Sequence, residues 1–305
     1  MVLAFALGVA AKLLKSDLKL PNGLYTSISI YLLFAIGLKG GVALREASFI
    51  DVVFPAIATM VLGVVTAFLA YSIALNVGRL SRMDAASLAA HYGSVSAVTF
   101  ITAQSFAHSQ KIPTEGFLPA LVAVLEVPAI LLALVLAGRQ DGQRFGLLAR
   151  ELITGKTVVL LVGGMIIGFM VASDGYEQVR PVFGDLFKGA LTFFLLEMGL
   201  VAASRLPDLG RHWMFLTLFG IAIPIINGAL GVLAGTWSGM SPGGAGILGV
   251  MGASASYIAA PAAIRVALPG ANVSLSLAAA LAVTFPFNLA IGIPLFMQWA
   301  HVLAR

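Results

Sequence analysis

Cysteine is absent from this 305-residue chain, which excludes a disulfide framework, a thiol nucleophile and any thiolate metal site. Charge is scarce as well, with Asp, Glu, Lys and Arg making up only 10% of residues. The four histidines, His91, His108, His212 and His301, are too scattered to form a ligand cluster, so each reads as a solvated or interfacial side chain. No phosphate-cradling glycine loop is present, and GSVSA at 93–97 lacks the second glycine of a nucleophile elbow. Nothing places a nucleophile, a base and an orienting group at usable spacing, which argues against an enzyme or an ATP-driven machine.

What the chain has in abundance is hydrocarbon: 60% of residues are hydrophobic and the mean hydropathy is +1.01, the composition of a polytopic membrane protein. Its net charge of +5 does not point to nucleic acid, because most Lys and Arg fall between apolar runs. Apolar windows predict ten spans, at about 1–15, 22–44, 50–76, 84–107, 113–137, 155–174, 182–204, 212–237, 243–268 and 274–303. The first is short for a bilayer, so either the span begins upstream or the helix is tilted. No basic residue precedes it, unlike a secretory signal peptide.

Alternate connections carry unequal charge. One side collects Lys12, Lys15, Lys19, Arg79, Arg82, Arg139, Arg144, Arg150, Lys156, Arg205 and Arg211, the other Arg45, Lys111, Arg180, Lys188 and Arg305. The richer side is expected to be cytoplasmic, which leaves both termini outside. The longest polar connection, 138–156, then becomes a cytoplasmic linker with an interfacial turn near Phe145 to Leu152, joining a first unit at 1–137 to a second at 157–305.

The two units look alike. IGLKGGVALREASF (36–49) matches MGLVAASRLPDL (198–209), SLAAHYGSVSAVTFITAQSF (87–106) matches AGILGVMGASASYIAAPAAI (245–264), and the fifth and tenth spans share prolines. Five spans per unit is an odd number, so the copies must enter the membrane in opposite senses, an inverted repeat. The fourth and ninth spans are poor helices, dense in Gly, Ala, Ser and Pro. Broken at the midplane, they would expose N–H groups at one half-helix end and C=O groups at the other, where these replace water around an ion. Gly93, Ser94, Val95 and Ser96 in one copy and Gly252, Ala253, Ser254, Ala255 and Ser256 in the other are the candidate anion site, with Pro261 helping to break the ninth span. Tight helix packing is the plainer reading for either segment alone.

A carboxylate inside the membrane is costly and needs a role. Glu126, two residues before Pro128, joins Thr99, Ser256 and Tyr257 as a candidate cation site of hard oxygen atoms, a protonated structural acid being the alternative. Lys39 and Glu197 occupy corresponding helices and are expected to pair or snorkel; Arg265 is expected at the end of its helix, and Asn227 and Asn288 are weaker polar candidates.

The chain resembles the sodium-dependent bicarbonate permeases of the SbtA type over nearly its whole length, through IGLKGGVALR, HYGSVSAVTF, LVAVLEVPAI, SASYIAAPAAIRVALPGAN and IGIPLFM. It departs from them in the turn after the ninth span, where Gly270 stands in place of an acidic residue, and in a short cytoplasmic linker. The resemblance implies an all-α membrane protein of ten transmembrane helices in two inverted five-helix repeats, with spans four and nine crossing. It also implies sodium-coupled bicarbonate uptake across a bacterial inner membrane, sodium as co-substrate without any other cofactor, a homotrimer, and a PII-like regulatory partner on the cytoplasmic side. An organic-anion symporter, a cation/proton exchanger and a non-transporting sensor are the alternatives.

Overall fold

The computed structural model describes residues 1–45, 48–138, 146, 150 and 153–304. The linker expected at 138–156, with its turn near 145–152, lies largely outside them. Among the described residues there is no strand, and the helices fall close to the apolar windows. They are α1 (Val2–Leu13), α2 (Asn22–Leu44), α3 (Phe49–Asn76), α4 (Arg82–Gly93), α5 (Ala97–Ser109), α6 (Leu118–Leu136), α7 (Lys156–Arg180), α8 (Phe187–Arg205), α9 (Trp213–Trp237), α10 (Pro242–Ala253) and α11 (Ala259–Ala267). A final apolar helix, α12 (Val273–Leu303), contains π-helical turns at Ala279–Thr284 and Asn288–Gly292.

Among the described residues, five helical stretches are long and apolar enough to cross a membrane: Gly23–Leu44, Ile50–Asn76, Leu118–Leu136, Lys156–Trp237 and Val273–Leu303. The 82-residue stretch Lys156–Trp237 is divided by a π-helical turn at Pro181–Asp185 and a 3-10 segment at Leu206–His212 into α7, α8 and α9. Inside α7, Ala172 takes a left-handed φ of 57°, so the helix changes direction there. Large apolar side chains face outward, including Leu3, Ile57, Phe68 and Met170. In water such a surface would aggregate, whereas against lipid it is the ordinary exterior.

Helix pairing follows the glycines. A Cβ on Gly8 of α1 would land on the carbonyl of Leu196 in α8, and one on Gly199 would land on that of Phe5. Likewise Gly41 of α2 lies on the Met165 carbonyl of α7, and Gly168 on that of Leu38. A Cβ on Gly199 would stand 3.0 Å from the Gly8 Cα, and one on Gly164 would stand 3.1 Å from the Gly37 Cα. Backbones this close gain dispersion and Cα–H···O contacts that larger residues would forbid.

By contrast, α4 and α10 are buried on every face, from Ala85 to Gly93 and from Gly243 to Ala253. Ala85, Ala86, Ala89 and Ala90 let α4 fit between α3 and α6, while five glycines between Gly243 and Gly252 let α10 fit between α9 and α12. A helix buried all round has no polar face to display, which is why neither segment is amphipathic.

Candidate functional site

Both buried half-helices start and stop with serine. Ser81 caps α4 by accepting the Asp84 N–H at 3.1 Å, and Ser241 caps α10 by accepting the Gly244 N–H at 3.1 Å. At the far ends the chain turns extended at Ser94 (ψ 178°) and Ser254 (ψ 167°). Two residues later it becomes helical again or begins to. The Ser96 Oγ accepts the Thr99 N–H at 3.1 Å to open α5, and the Ser256 Oγ accepts the Ala260 N–H at 3.2 Å to open α11. Ser-Val-Ser and Ser-Ala-Ser thus perform the same break, the first serine ending one half-helix and the second nucleating the next.

The breaks hold each other. The Ser96 N–H donates to the Ser254 Oγ at 2.9 Å, and the Ser256 N–H donates to the His91 carbonyl at 2.8 Å. The loose carbonyl ends are met by amides from neighbouring helices: Asn227 of α9 donates to the Tyr92 carbonyl at 3.3 Å, and Asn288 of α12 donates to the Ala253 carbonyl at 2.9 Å. Weak candidates in the sequence, these asparagines are the caps of the two breaks. Asn288→Leu removes the donor and leaves a buried carbonyl unpaired, an expected loss of about 1–3 kcal/mol, seen as a lowered unfolding temperature in detergent.

A small cavity lies beside the breaks, with about 10 Å³ free for the centre of a water-sized sphere, roughly the room of one water. Its wall joins Val95, Ser96 and Ala97 from one break, Ser256, Tyr257 and Ile258 from the other, Glu126 from α6 and Thr157 from α7. Glu126 is buried, and its Oε2 has no hydrogen-bond partner among the described residues. Pro128, lacking an N–H, also leaves the Val124 carbonyl of α6 without its helical donor. Glu126, Thr157 and Ile258 form a common wall with a second cavity of about 220 Å³, reaching Gly155, Lys156 and Ala259.

Of the candidate cation residues, Glu126, Ser256 and Tyr257 therefore share one cavity, whereas Thr99 touches it only through the Ser96 hydroxyl. Of the candidate anion residues, Val95, Ser96 and Ser256 line it; Ser94, Ala253, Ser254 and Ala255 are buried within the crossing. Gly93 abuts Ala67 and Ala129, and Gly252 abuts the Asn227 backbone. Two expectations change. His91 is fully buried rather than solvated, its Nδ1 donating to the Ser87 carbonyl at 2.7 Å. Lys39 and Glu197 do not meet: Lys39 faces a cavity with Lys188 and His108, while Glu197 is hydrogen-bonded by the Leu20 backbone. Arg265 does occupy the last turn of α11, where a cation suits the dipole. Thr157 escaped the sequence reading; a lone hydroxyl beside a lysine at a span's start looks like an interface residue, and only the fold brings it to Glu126.

Among the described residues, no group of three or more His, Asp or Glu is placed to hold a metal ion. In comparison with known proteins, the family model of the Na+-dependent bicarbonate transporter superfamily matches residues 1–301. No curated protein matches the chain.

Proposed function

The chain belongs to the Na+-dependent bicarbonate transporter superfamily, and from that premise we propose that it is a symporter in which Na+ drives bicarbonate uptake. It is a transporter and not an enzyme. The observation that carries the coupling is Glu126, a buried carboxylate with an unpartnered oxygen in a cavity of hydroxyls. A carboxylate with the Ser96, Ser256, Thr157 and Tyr257 hydroxyls is a hard-oxygen set for Na+, in a space of the right order for one desolvated ion.

Bicarbonate takes the adjoining position at the crossing of 93–96 and 252–256. There the first turns of α5 and α11 present amide N–H groups and the positive ends of their dipoles. Na+ on Glu126 cancels the carboxylate that would otherwise repel the anion. Each ion therefore favours the other's binding, which is the physical basis of obligatory co-transport. The larger cavity toward Lys156 is the route by which both leave.

Ten spans in two inverted repeats, 1–137 and 157–305 joined by 138–156, agree with the packing. Span one lies on span seven through Gly8 and Gly199, and span six lies on span two through Gly164 and Gly37, the same pair with the halves exchanged. The resemblance supports a homotrimer in a bacterial inner membrane, with a PII-like protein as the cytoplasmic partner. For the orientation, an impermeant thiol reagent applied from outside should label Gln110→Cys and spare Arg211→Cys; the opposite pattern would invert the topology. The function is tested by radiolabelled bicarbonate uptake into proteoliposomes. Uptake should rise when Na+ is imposed outside and be unmoved by K+; uptake indifferent to Na+ would defeat the proposal.

A further inference from the structure

A second cavity, apart from the one at the breaks, gathers cationic side chains. It encloses about 360 Å³ between α2, α5 and the segment 183–188, and Lys39, Lys188 and His108 all line it. The three are near enough to repel one another electrostatically. Among the described residues neither lysine has an ion-pair partner. Among the described residues the one carboxylate in the wall is Glu115, whose Oε1 accepts the Ser241 N–H at the start of α10, where the helix dipole offsets its charge, while its Oε2 has no hydrogen-bond partner. All three side chains keep access to solvent, so their charge is not a burial penalty; two ammonium groups and an imidazole facing one concavity instead raise its positive potential and draw small anions into it.

We propose that Lys39, Lys188 and His108 form a second anion site, a loading vestibule that binds a small oxyanion before it reaches the crossing. The position fits this role. Gln104, Ser105 and His108 carry the vestibule along α5, whose first residue, Ala97, lines the central cavity about seven residues away, or ~10 Å of helix. Between the two, Leu33, Val98, Ile101 and Phe194 pack around a void with no polar surface. That apolar collar separates the sites, so an anion held by the lysines waits outside a closed barrier while the central cavity adjoins the Lys156 side. The proposal takes from the function above only that the cargo is a small anion, and it holds whatever the coupling ion.

Its test needs no transport. The chain has no native cysteine, so Gln104→Cys places one thiol in the vestibule wall of the full-length protein in proteoliposomes. A sulfonate-bearing methanethiosulfonate reagent should react faster there than a trimethylammonium-bearing one. The ratio of the two rates should fall about tenfold or more in Lys39→Gln/Lys188→Gln, as expected for removing two nearby charges. Lys39→Arg/Lys188→Arg should restore it. Bicarbonate or nitrate should slow the sulfonate reaction more than gluconate at equal ionic strength. A ratio indifferent to the lysines, or equal effects of bicarbonate, nitrate and gluconate, would overturn the site.

Discussion

Glu126→Gln is expected to raise the Na+ concentration for half-maximal bicarbonate uptake by about 100-fold, because it removes the one carboxylate among the described residues of the central cavity while keeping its shape. A unit charge about 4 Å from Na+, at an effective dielectric near 20, is worth about 4 kcal/mol, or roughly 1000-fold in affinity. The amide oxygen of Gln remains a ligand, and this reduces the loss. Glutamine also mimics a protonated carboxyl, so the variant separates the two roles open to this residue. A purified, monodisperse Glu126→Gln with unchanged Na+ dependence would make Glu126 a neutral structural acid. Glu126→Asp keeps the charge one methylene further from the hydroxyls and should fall between the two.

Gly93→Val should yield almost no folded protein. Its Cβ would meet the Cβ of Ala67 in α3 at less than contact distance and the Cβ of Ala129 in α6 at 2.8 Å, and both of these side chains are fully buried. Overpacking of this kind costs about 3 kcal/mol or more. The expected readout is a collapse of the monodisperse fraction on size exclusion, with Gly93→Ala intermediate and improved by Ala67→Gly. Gly189→Ala, with nothing within 4 Å of its Cβ, should be silent. Wild-type yield from Gly93→Val would mean that α4 does not sit against α3 and α6 as described.

The positions of the helices were legible because hydropathy is a local property, and a span declares itself within about 20 residues. The breaks were legible for a related reason: Gly-Ser-Val-Ser and Ala-Ser-Ala-Ser are poor helix sequences with good capping residues at both ends. What stayed hidden depends on which distant residues face each other. Asn227 and Tyr92, or Glu126 and Thr157, meet only after packing. His91 looked like an interfacial histidine because a four-residue side-chain-to-backbone hydrogen bond, which lets it be buried, leaves no mark on the sequence. Lys39 and Glu197 miss each other although α2 and α8 touch, because Glu197 lies by Leu20 and Tyr25 at the start of α2, whereas Lys39 lies near its far end beside Lys188.

The glycine contacts between α1 and α8 and between α2 and α7 have a bearing on biosynthesis. Gly8 must wait for Gly199 and Gly37 for Gly164, so at translation rates of about 5–20 residues per second the first two helices stand in the bilayer for roughly 6 to 40 s without their partners. During that time their glycine grooves are filled by lipid or by whatever other small-residue helix drifts past. The chain's greatest exposure to misassembly therefore falls before its second half exists, and a helper that shields newly inserted helices would have to act on the first 45 residues.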